Sequence, residues 1–390
     1  MISVAEAYTH LFELVKPIGT EILPLTECTD RILRLPISSE RDQPPFPASA
    51  MDGYAIKRDD AKPGATLNVI GEAAAGSRFD GVLKNGDAVR IFTGGVVPVG
   101  ADKILIQEDC TRKGDTITLG KDIEASDFIR PAGADFKAGF TLPSLLRLSP
   151  QHIALAASMN HAQLTVARKP VVALIATGDE LVPPGETPGA DQIISSNNYG
   201  LKAMIEQNGA LARILPIAGD TTASLKANFE LAEDADLIVT LGGASVGDYD
   251  LVQNAAKELG LQTSFYKLAM RPGKPLMAGL LKDTLMIGLP GNPVSAMVCG
   301  RVFLVPVIEA MLGLPKQAPI PKMAPLANDL PENGPRAHYM RAILENGEIY
   351  TAPRQDSSLL SILASSNILA IRPPNTGPAH KGDLISYLDI

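Results

Sequence analysis

Between residues 169 and 313 short apolar runs alternate with helical stretches, and this alternation constrains the fold more than any other feature of the chain. VVALIATG reads as a buried strand, SNNYGLKAMIEQNG as a helix ending at Gly209, and ARILPIAGD as a strand ending in Asp220. TASLKANFELAEDA reads as a helix, DLIVTLGG as a strand, DLVQNAAKELG as a helix and TLMIGLP as a further strand. The last helix, NPVSAMVCGRVFLVPVIEAML, has Asn292 as N-cap and Pro293 at its first position. Strands separated by helices pair in parallel, which predicts a doubly wound, mostly parallel sheet with helices on both faces. Open sheets of this kind bind ligands outside the carboxyl ends of their strands, so the residues found there carry the functional argument.

The flanks differ. The first turns form an amphipathic helix through Val4, Ala7, Tyr8, Leu11, Leu14 and Val15, with Ser3 and Glu6 placed as a capping box. The prolines of QPPFPASAMDGYAI exclude a helix. TLNVIGEA, DAVRIFTGG, KILIQEDC and DTITLG follow as short strands between Gly and Asp turns. Residues 131–168 are expected to return to helix, with a Ser-Pro start in SPQHIALAAS. HYMRAILENGEIYTA and KGDLISYLDI indicate strands again near the C-terminus. The expected fold class is α/β plus β and multidomain: a doubly wound, mostly parallel α/β domain, a β-rich insert and a small C-terminal β domain. The expected boundaries are a discontinuous helical or linker domain over 1–44 plus 135–168, the β-rich domain over 45–134, the α/β domain over 169–317 and the C-terminal domain over 318–390.

Composition limits the partners. A formal net charge of −8 gives no overall attraction to nucleic acid or to an anionic membrane, so neither is expected. The three cysteines, Cys28, Cys110 and Cys299, are widely spaced and form no metal or redox motif, which points to reduced thiols in a cytoplasmic protein. The acidic N-terminal stretch lacks the basic region of a signal peptide, and no apolar run reaches the roughly 20 residues that span a bilayer.

The strand ends carry the chemistry. In DLIVTLGGASVGDYD, Gly242, Gly243 and Gly247 allow close backbone approach to a ligand, and Ser245 with the loop N–H groups can hold phosphate oxygens. Asp248 and Asp250 are hard oxygen donors of the kind that hold Mg²⁺ with one or two carboxylates. Thr177, Gly178 and Glu180 close the first strand, and Asp220 the second. Glu180, Asp220 and Asp250 form the expected metal set, read against the plainer role of turn formers or helix caps. RPGKP presents Arg271 and Lys274 from a stiff loop with Pro272, suited to an oxyanion, or else forms a solvated turn. GLPGNPVS places Ser295 and free N–H groups at a helix N-terminus, where the dipole favours an anion, or else simply caps a helix. The reading of the residues is a phosphorylated ligand with a divalent cation.

In the order MDGY (51–54), TGG (93–95), ATGDEL (176–181), LGGASVGDYD (241–250), RPGKP (271–275) and GLPGNPVS (288–295), these motifs resemble the molybdopterin molybdenumtransferases of the MoeA type, related to the E domain of gephyrin. The resemblance covers almost the whole chain. It implies an elongated homodimer in which each site draws on the other subunit. The implied reaction is Mg²⁺-dependent insertion of molybdate into adenylylated molybdopterin, giving molybdenum cofactor and AMP. Both substrates are small molecules, and contact with molybdopterin adenylyltransferase and with apo-molybdoenzymes is implied too. The dithiolene sulfurs belong to the pterin, so no catalytic cysteine is needed.

By the same resemblance Glu180, Asp220 and Asp250 hold Mg²⁺ and nucleotide phosphate, with Asp248 beside them. Thr177, Gly178, Gly242, Gly243, Ser245 and Gly247 line the pterin-nucleotide site. Arg271, Pro272, Lys274, Ser295, Arg341 and Ser357 belong to the molybdate cradle, and Asp52 and Thr93 reach the partner's site. The chain has Arg271 where a lysine is usual, and Gln355-Asp356-Ser357-Ser358 where the family has Gln-Gly-Ser-Gly. The competing readings are a molybdopterin adenylyltransferase, a nucleotide pyrophosphatase and a non-catalytic scaffold.

Overall fold

The computed structural model describes residues 1–242 and 251–390. At its centre six strands form one sheet in the order Leu211–Ile214, Val171–Ala176, Leu237–Leu241, Thr284–Leu289, Met277–Leu281, Leu261–Tyr266. The first four run parallel, Met277–Leu281 runs against them, and Leu261–Tyr266 pairs antiparallel with Met277–Leu281. Side chains alternate between the faces. Val172, Leu174, Val239 and Ile287 pack on one side with the helices Asn197–Gln207 and Pro293–Cys299, while Ala173, Ile175, Ile238 and Met286 pack on the other with Thr222–Leu231 and Leu251–Glu258. The fold class is the multidomain α/β plus β architecture expected from the alternation.

The strand expected to run to Asp220 stops at Ile214; a bridge between Thr177 and Ala218 then carries the chain alongside Val171–Ala176 to Asp220. The long helix after Asn292 is three pieces, Pro293–Cys299, a π-helical turn Gly300–Leu304, and Val305–Met311. Gly300 marks the irregular turn, and a Cβ there would lie 2.6 Å from Leu201. Over Pro293–Met311 this helix is apolar enough to cross a membrane by length and composition, contrary to the count made on the sequence, but 83% of that stretch is buried inside the protein. It is the core helix of the α/β domain.

Ser3 and Glu6 form the capping box of the helix Val4–Leu14, whose Ala7 and Leu11 pack into the main core. Residues 131–168 are mostly not helical. Only Pro150–Ser158 is a helix, and Thr141–Leu142, Leu146–Arg147 and Gln163–Ala167 are strands. Gln163–Ala167 pairs with Thr20–Pro24 and with Ile32–Leu33, so segments on either side of the insert share one sheet. Pairing with a distant partner decides such two-residue strands, and local periodicity cannot reveal it.

The insert is a six-stranded sheet, ordered Lys103–Ile106, Gly53–Ile56, Asp87–Ile91, Thr66–Ala73, Thr116–Leu119, Cys110–Lys113. In the C-terminal sheet Ala337–Glu345 returns through Asn346-Gly347, both at positive φ as a tight hairpin needs, to Glu348–Thr351. The edge of this sheet is Met270–Arg271, lent by the α/β domain.

One ion pair fixes the start of the central sheet. Arg168 Nη1 and Nη2 donate to Asp236 at 2.8 and 2.7 Å, and Val171 N–H donates to the same carboxylate at 2.7 Å. Burial raises the Asp236 pKa, but Arg168 and the Val171 N–H together outweigh it and hold the group below the ordinary carboxylate range. A depressed carboxylate stabilises the fold at neutral pH, and that contribution disappears as pH falls through the folded value. Asp236→Asn is therefore expected to lose about 1.5–3 kcal/mol at pH 7 in chemical denaturation. Its difference from the wild type should shrink as pH falls through the folded value, which lies below the ordinary carboxylate range.

Candidate active site

The carboxyl ends of Val171–Ala176 and Leu237–Leu241 open onto a cavity of about 640 Å³. Thr177, Gly178, Glu180, Asp220, Gly242 and Ser295, all singled out in the sequence, line it. Gly178 has φ +139°, and a Cβ there would lie 2.1 Å from a Glu180 carboxylate oxygen, so this glycine lets Glu180 fold back over the strand end. Gly242 has φ +91° and packs against Thr177. Asp179 turns aside to accept from the Asp220 N–H at 3.0 Å. The Glu180 and Asp220 carboxylates have no hydrogen-bond or ionic partner among the described residues, so two bare negative charges face one cavity. Among the described residues no group of three His, Cys, Asp or Glu gathers as a metal site. Gly243, Ser245, Gly247, Asp248 and Asp250 lie outside the described residues. Two free carboxylates suit Mg²⁺, which keeps waters and takes its remaining ligands from a phosphorylated substrate.

The sequence reading missed Ser195, Ser196 and Asn197, which also line the cavity. Asn197 Nδ2 donates to the Gly291 carbonyl at 2.7 Å and so ties the helix Asn197–Gln207 to the loop before Ser295. The signal was in SNN, two amides after a serine at the start of a helix.

Beside the cavity lies the basic loop. Pro275 lines the cavity, Lys274 is half-buried, and Arg271 is exposed. The Arg271–Pro272 peptide is cis. Gly273 sits at φ +113° with its α-carbon against the core helix, and a Cβ there would approach Cys299 Sγ to 2.4 Å. Cys299 is fully buried, which pushes its thiol pKa up. Gly273→Ala combines a disfavoured φ with a clash against a packed side chain. A loss of about 1–3 kcal/mol is expected in thermal or urea unfolding.

Ser295 sits in the first turn of Pro293–Cys299 and is 4% exposed. Asn292 precedes the helix as expected but does not cap it with its side chain; instead its Nδ2 donates to Ser357 Oγ at 3.1 Å. Val294 N–H donates to the Ser357 carbonyl at 3.1 Å. Ser357 is thus fastened to the helix N-terminus. Asp356, the departure from the family pattern, turns its carboxylate onto Ser358, accepting from N at 2.9 Å and from Oγ at 2.6 Å. The Ser358 hydrogen bonds hold this exposed carboxyl below the usual range.

Arg341 lies under the loop that carries Ser357, outside the cavity lining. It is fully buried, and its Nη2 donates to the carbonyls of Arg354 and Asp356 at 3.3 and 2.9 Å. Nε and Nη1 are sealed from solvent without a partner. Its neighbours include Arg271, and none of the ion pairs among the described residues involves it. Unpaired buried donors on a charged group cost several kcal/mol unless an anion meets them.

Asp52 and Thr93 are in the insert, and the chain does not bring them to the cavity lining. They meet each other: Asp52 Oδ1 accepts from Thr93 N–H at 2.7 Å and from Thr93 Oγ1 at 2.8 Å, which holds this exposed carboxylate below its ordinary pKa.

The match to known proteins follows the same architecture. Models of the MoeA N-terminal region (domain I and II), a probable molybdopterin binding domain and the MoeA C-terminal region (domain IV) match residues 2–160, 173–310 and 323–390. A molybdopterin molybdenumtransferase from a Nostoc species is 34% identical, over 96% of this chain and 90% of that protein. One from Haemophilus influenzae is 33% identical, over 99% and 98%. The crystal structure of a molybdopterin biosynthesis MoeA protein from Pyrococcus horikoshii OT3 superposes with a TM-score of 0.85 at 25% identity, over 100% of both chains. The fold and the relatives together define a multidomain transferase of MoeA-type architecture. The chain belongs to the molybdopterin molybdenumtransferase family.

Proposed function

We infer that this chain inserts molybdate into adenylylated molybdopterin in a Mg²⁺-dependent reaction that releases AMP and gives molybdenum cofactor. The observation that carries the reading is Arg341, a fully buried guanidinium with two unpaired N–H edges, next to a loop fastened to the helix N-terminus at Ser295. The names of the curated relatives support molybdenum insertion into molybdopterin.

In this reading Arg341, Ser295, Ser357, Lys274 and Arg271 hold the oxyanion, with Pro272 stiffening the loop. Thr177, Gly178 and Gly242, with Gly243, Ser245 and Gly247, bound the space for the pterin nucleotide. Glu180 and Asp220, with Asp250 and beside Asp248, hold Mg²⁺. When bound, the ion neutralises the pyrophosphate and polarises its phosphorus toward water. Preorganised donors around the molybdate keep it beside the dithiolene without reorganisation of solvent. Asp52 and Thr93, locked to each other, would reach the other subunit's site in a cytoplasmic homodimer.

Nucleotide balance tests the reading against the neighbouring chemistries. Incubation with adenylylated molybdopterin, molybdate and Mg²⁺ should yield AMP without consumption of ATP. ATP consumption with formation of the adenylylated pterin would instead make the chain an adenylyltransferase.

A further inference from the structure

The strand Met270–Arg271 pairs in parallel with Ala337–Glu345, and its register sets Arg271 opposite His338. On the other side, Ala337–Glu345 pairs antiparallel with Ile368–Arg372, and His338 stands opposite Arg372. Residues directly opposite on neighbouring strands share a face, and like charges placed so oppose each other. One row therefore reads Arg271, His338, Arg372, with a strand from the α/β domain supplying its first member.

Arg372 is buried and bonds the backbone, donating to the Gly377 carbonyl and, at 3.4 Å, to Thr376 Oγ1. His338 is 8% exposed, and its Nε2 is sealed from solvent without a hydrogen-bond partner. Among the described residues the charged groups acting on His338 are cations: Arg271 and Arg372 across the two strand boundaries, Arg336 just before it and, on the opposite face of its own strand, Arg341. Asp383 acts on Arg372 and Asp356 on Arg341, while neither reaches the histidine. Burial, and then Arg271 with the other arginines, push His338 down to about 4. At neutral pH the row thus holds a neutral imidazole among guanidinium groups.

A ring in this setting responds to an anion. A dianion entering beside the arginines reverses the field at the imidazole, favours its charged form and gives its unpaired nitrogen an oxygen to bond. We propose that His338 is a specificity-determining residue of the oxyanion site, taking up one proton from solvent when a tetrahedral oxyanion dianion binds beside Arg271. No bond within the oxyanion forms or breaks in this step. The proposal rests on the oxyanion reading of that site. Because the ring gains its proton on binding, affinity rises as pH falls, by up to about tenfold per pH unit while the free ring stays neutral. Monoanions of similar size gain less, since they reverse the field less.

The test is calorimetry of sodium molybdate binding to the whole protein between about pH 8 and pH 6, in two buffers of unequal ionisation enthalpy. The expected result is net proton uptake that grows as pH falls. His338→Gln is expected to abolish that uptake and to weaken binding about tenfold at pH 6 but less than twofold at pH 8. Histidine ring NMR of the wild type, with and without molybdate, reads the same protonation without relying on the variant's fold. Molybdate binding without proton uptake, or with uptake that survives His338→Gln, would overturn the proposal and leave the oxyanion reading standing. No binding by the wild type would overturn both.

Discussion

Arg341→Met is expected to lower molybdate-dependent turnover by at least about 10²-fold while leaving thermal stability unchanged or slightly raised. The two effects have one origin. The Arg341 side chain is fully buried, and two of its three guanidinium nitrogens have no partner among the described residues. A charge-assisted hydrogen bond contributes about 1.5–3 kcal/mol, so losing two toward a bound oxyanion removes at least 10² in kcat/KM for molybdate. Methionine fills a similar volume and needs no partner, so the cost of burying an unmatched charge disappears. The loss of the bonds to Arg354 and Asp356 is tempered because the Arg341 backbone still binds Gln355, whose Oε1 accepts from its N–H at 3.0 Å and whose Nε2 donates to its carbonyl at 2.9 Å. Steady-state kinetics with varied molybdate, paired with a melting curve, checks both halves. A variant that melts at a lower temperature but turns over normally below it would show that the arginine serves only to hold the loop.

Asp220→Asn carries the second large effect. Asp220 and Glu180 line one cavity, and neither carboxylate has a partner among the described residues. Removing one charge leaves the fold without the cation untouched, and slightly relieves repulsion. Each carboxylate lost from a Mg²⁺ site weakens the ion, so the Mg²⁺ concentration for half-maximal AMP release should rise at least tenfold, about 1.4 kcal/mol. Maximal turnover should fall about 10²-fold as the phosphate loses its positioned counter-charge. Mg²⁺ should raise the melting temperature of the wild type in the presence of nucleotide and not that of the variant. An unchanged Mg²⁺ requirement would remove Asp220 from the metal set.

Much of the core fold was legible because it rests on local periodicity. VVALIA, LIVTL and TLMIGL are too short for helices, and the stretches between them carry helical spacing and terminal glycines. What escaped depends on distant pairing. TLMIGLP reads as the strand Thr284–Leu289, but its antiparallel neighbour Met277–Leu281, joined to it by a turn in which Lys282 has positive φ, does not stand out, because a five-residue run with a glycine gives little signal without its partner. The strands of 131–168 were mistaken for helix for the same reason. At the cavity, strand-end position identified Thr177, Gly178, Glu180, Asp220, Gly242 and Ser295. Asn197 was absorbed into a helix, and its side chain's reach to Gly291 emerges only when two loops meet. His338 had no signal in its own neighbourhood, because its row is made by strands far apart in sequence. The direction of Asp356 likewise depends on a turn that the residue itself closes through Ser358.

The most direct test of the account is AMP release from adenylylated molybdopterin in Mg²⁺, with and without molybdate, followed by transfer of the product to an apo-molybdoenzyme. The account predicts AMP release that depends on molybdate and an acceptor that becomes active. AMP release indifferent to molybdate, with an acceptor that stays inactive, would contradict it and leave a pyrophosphate hydrolase in its place.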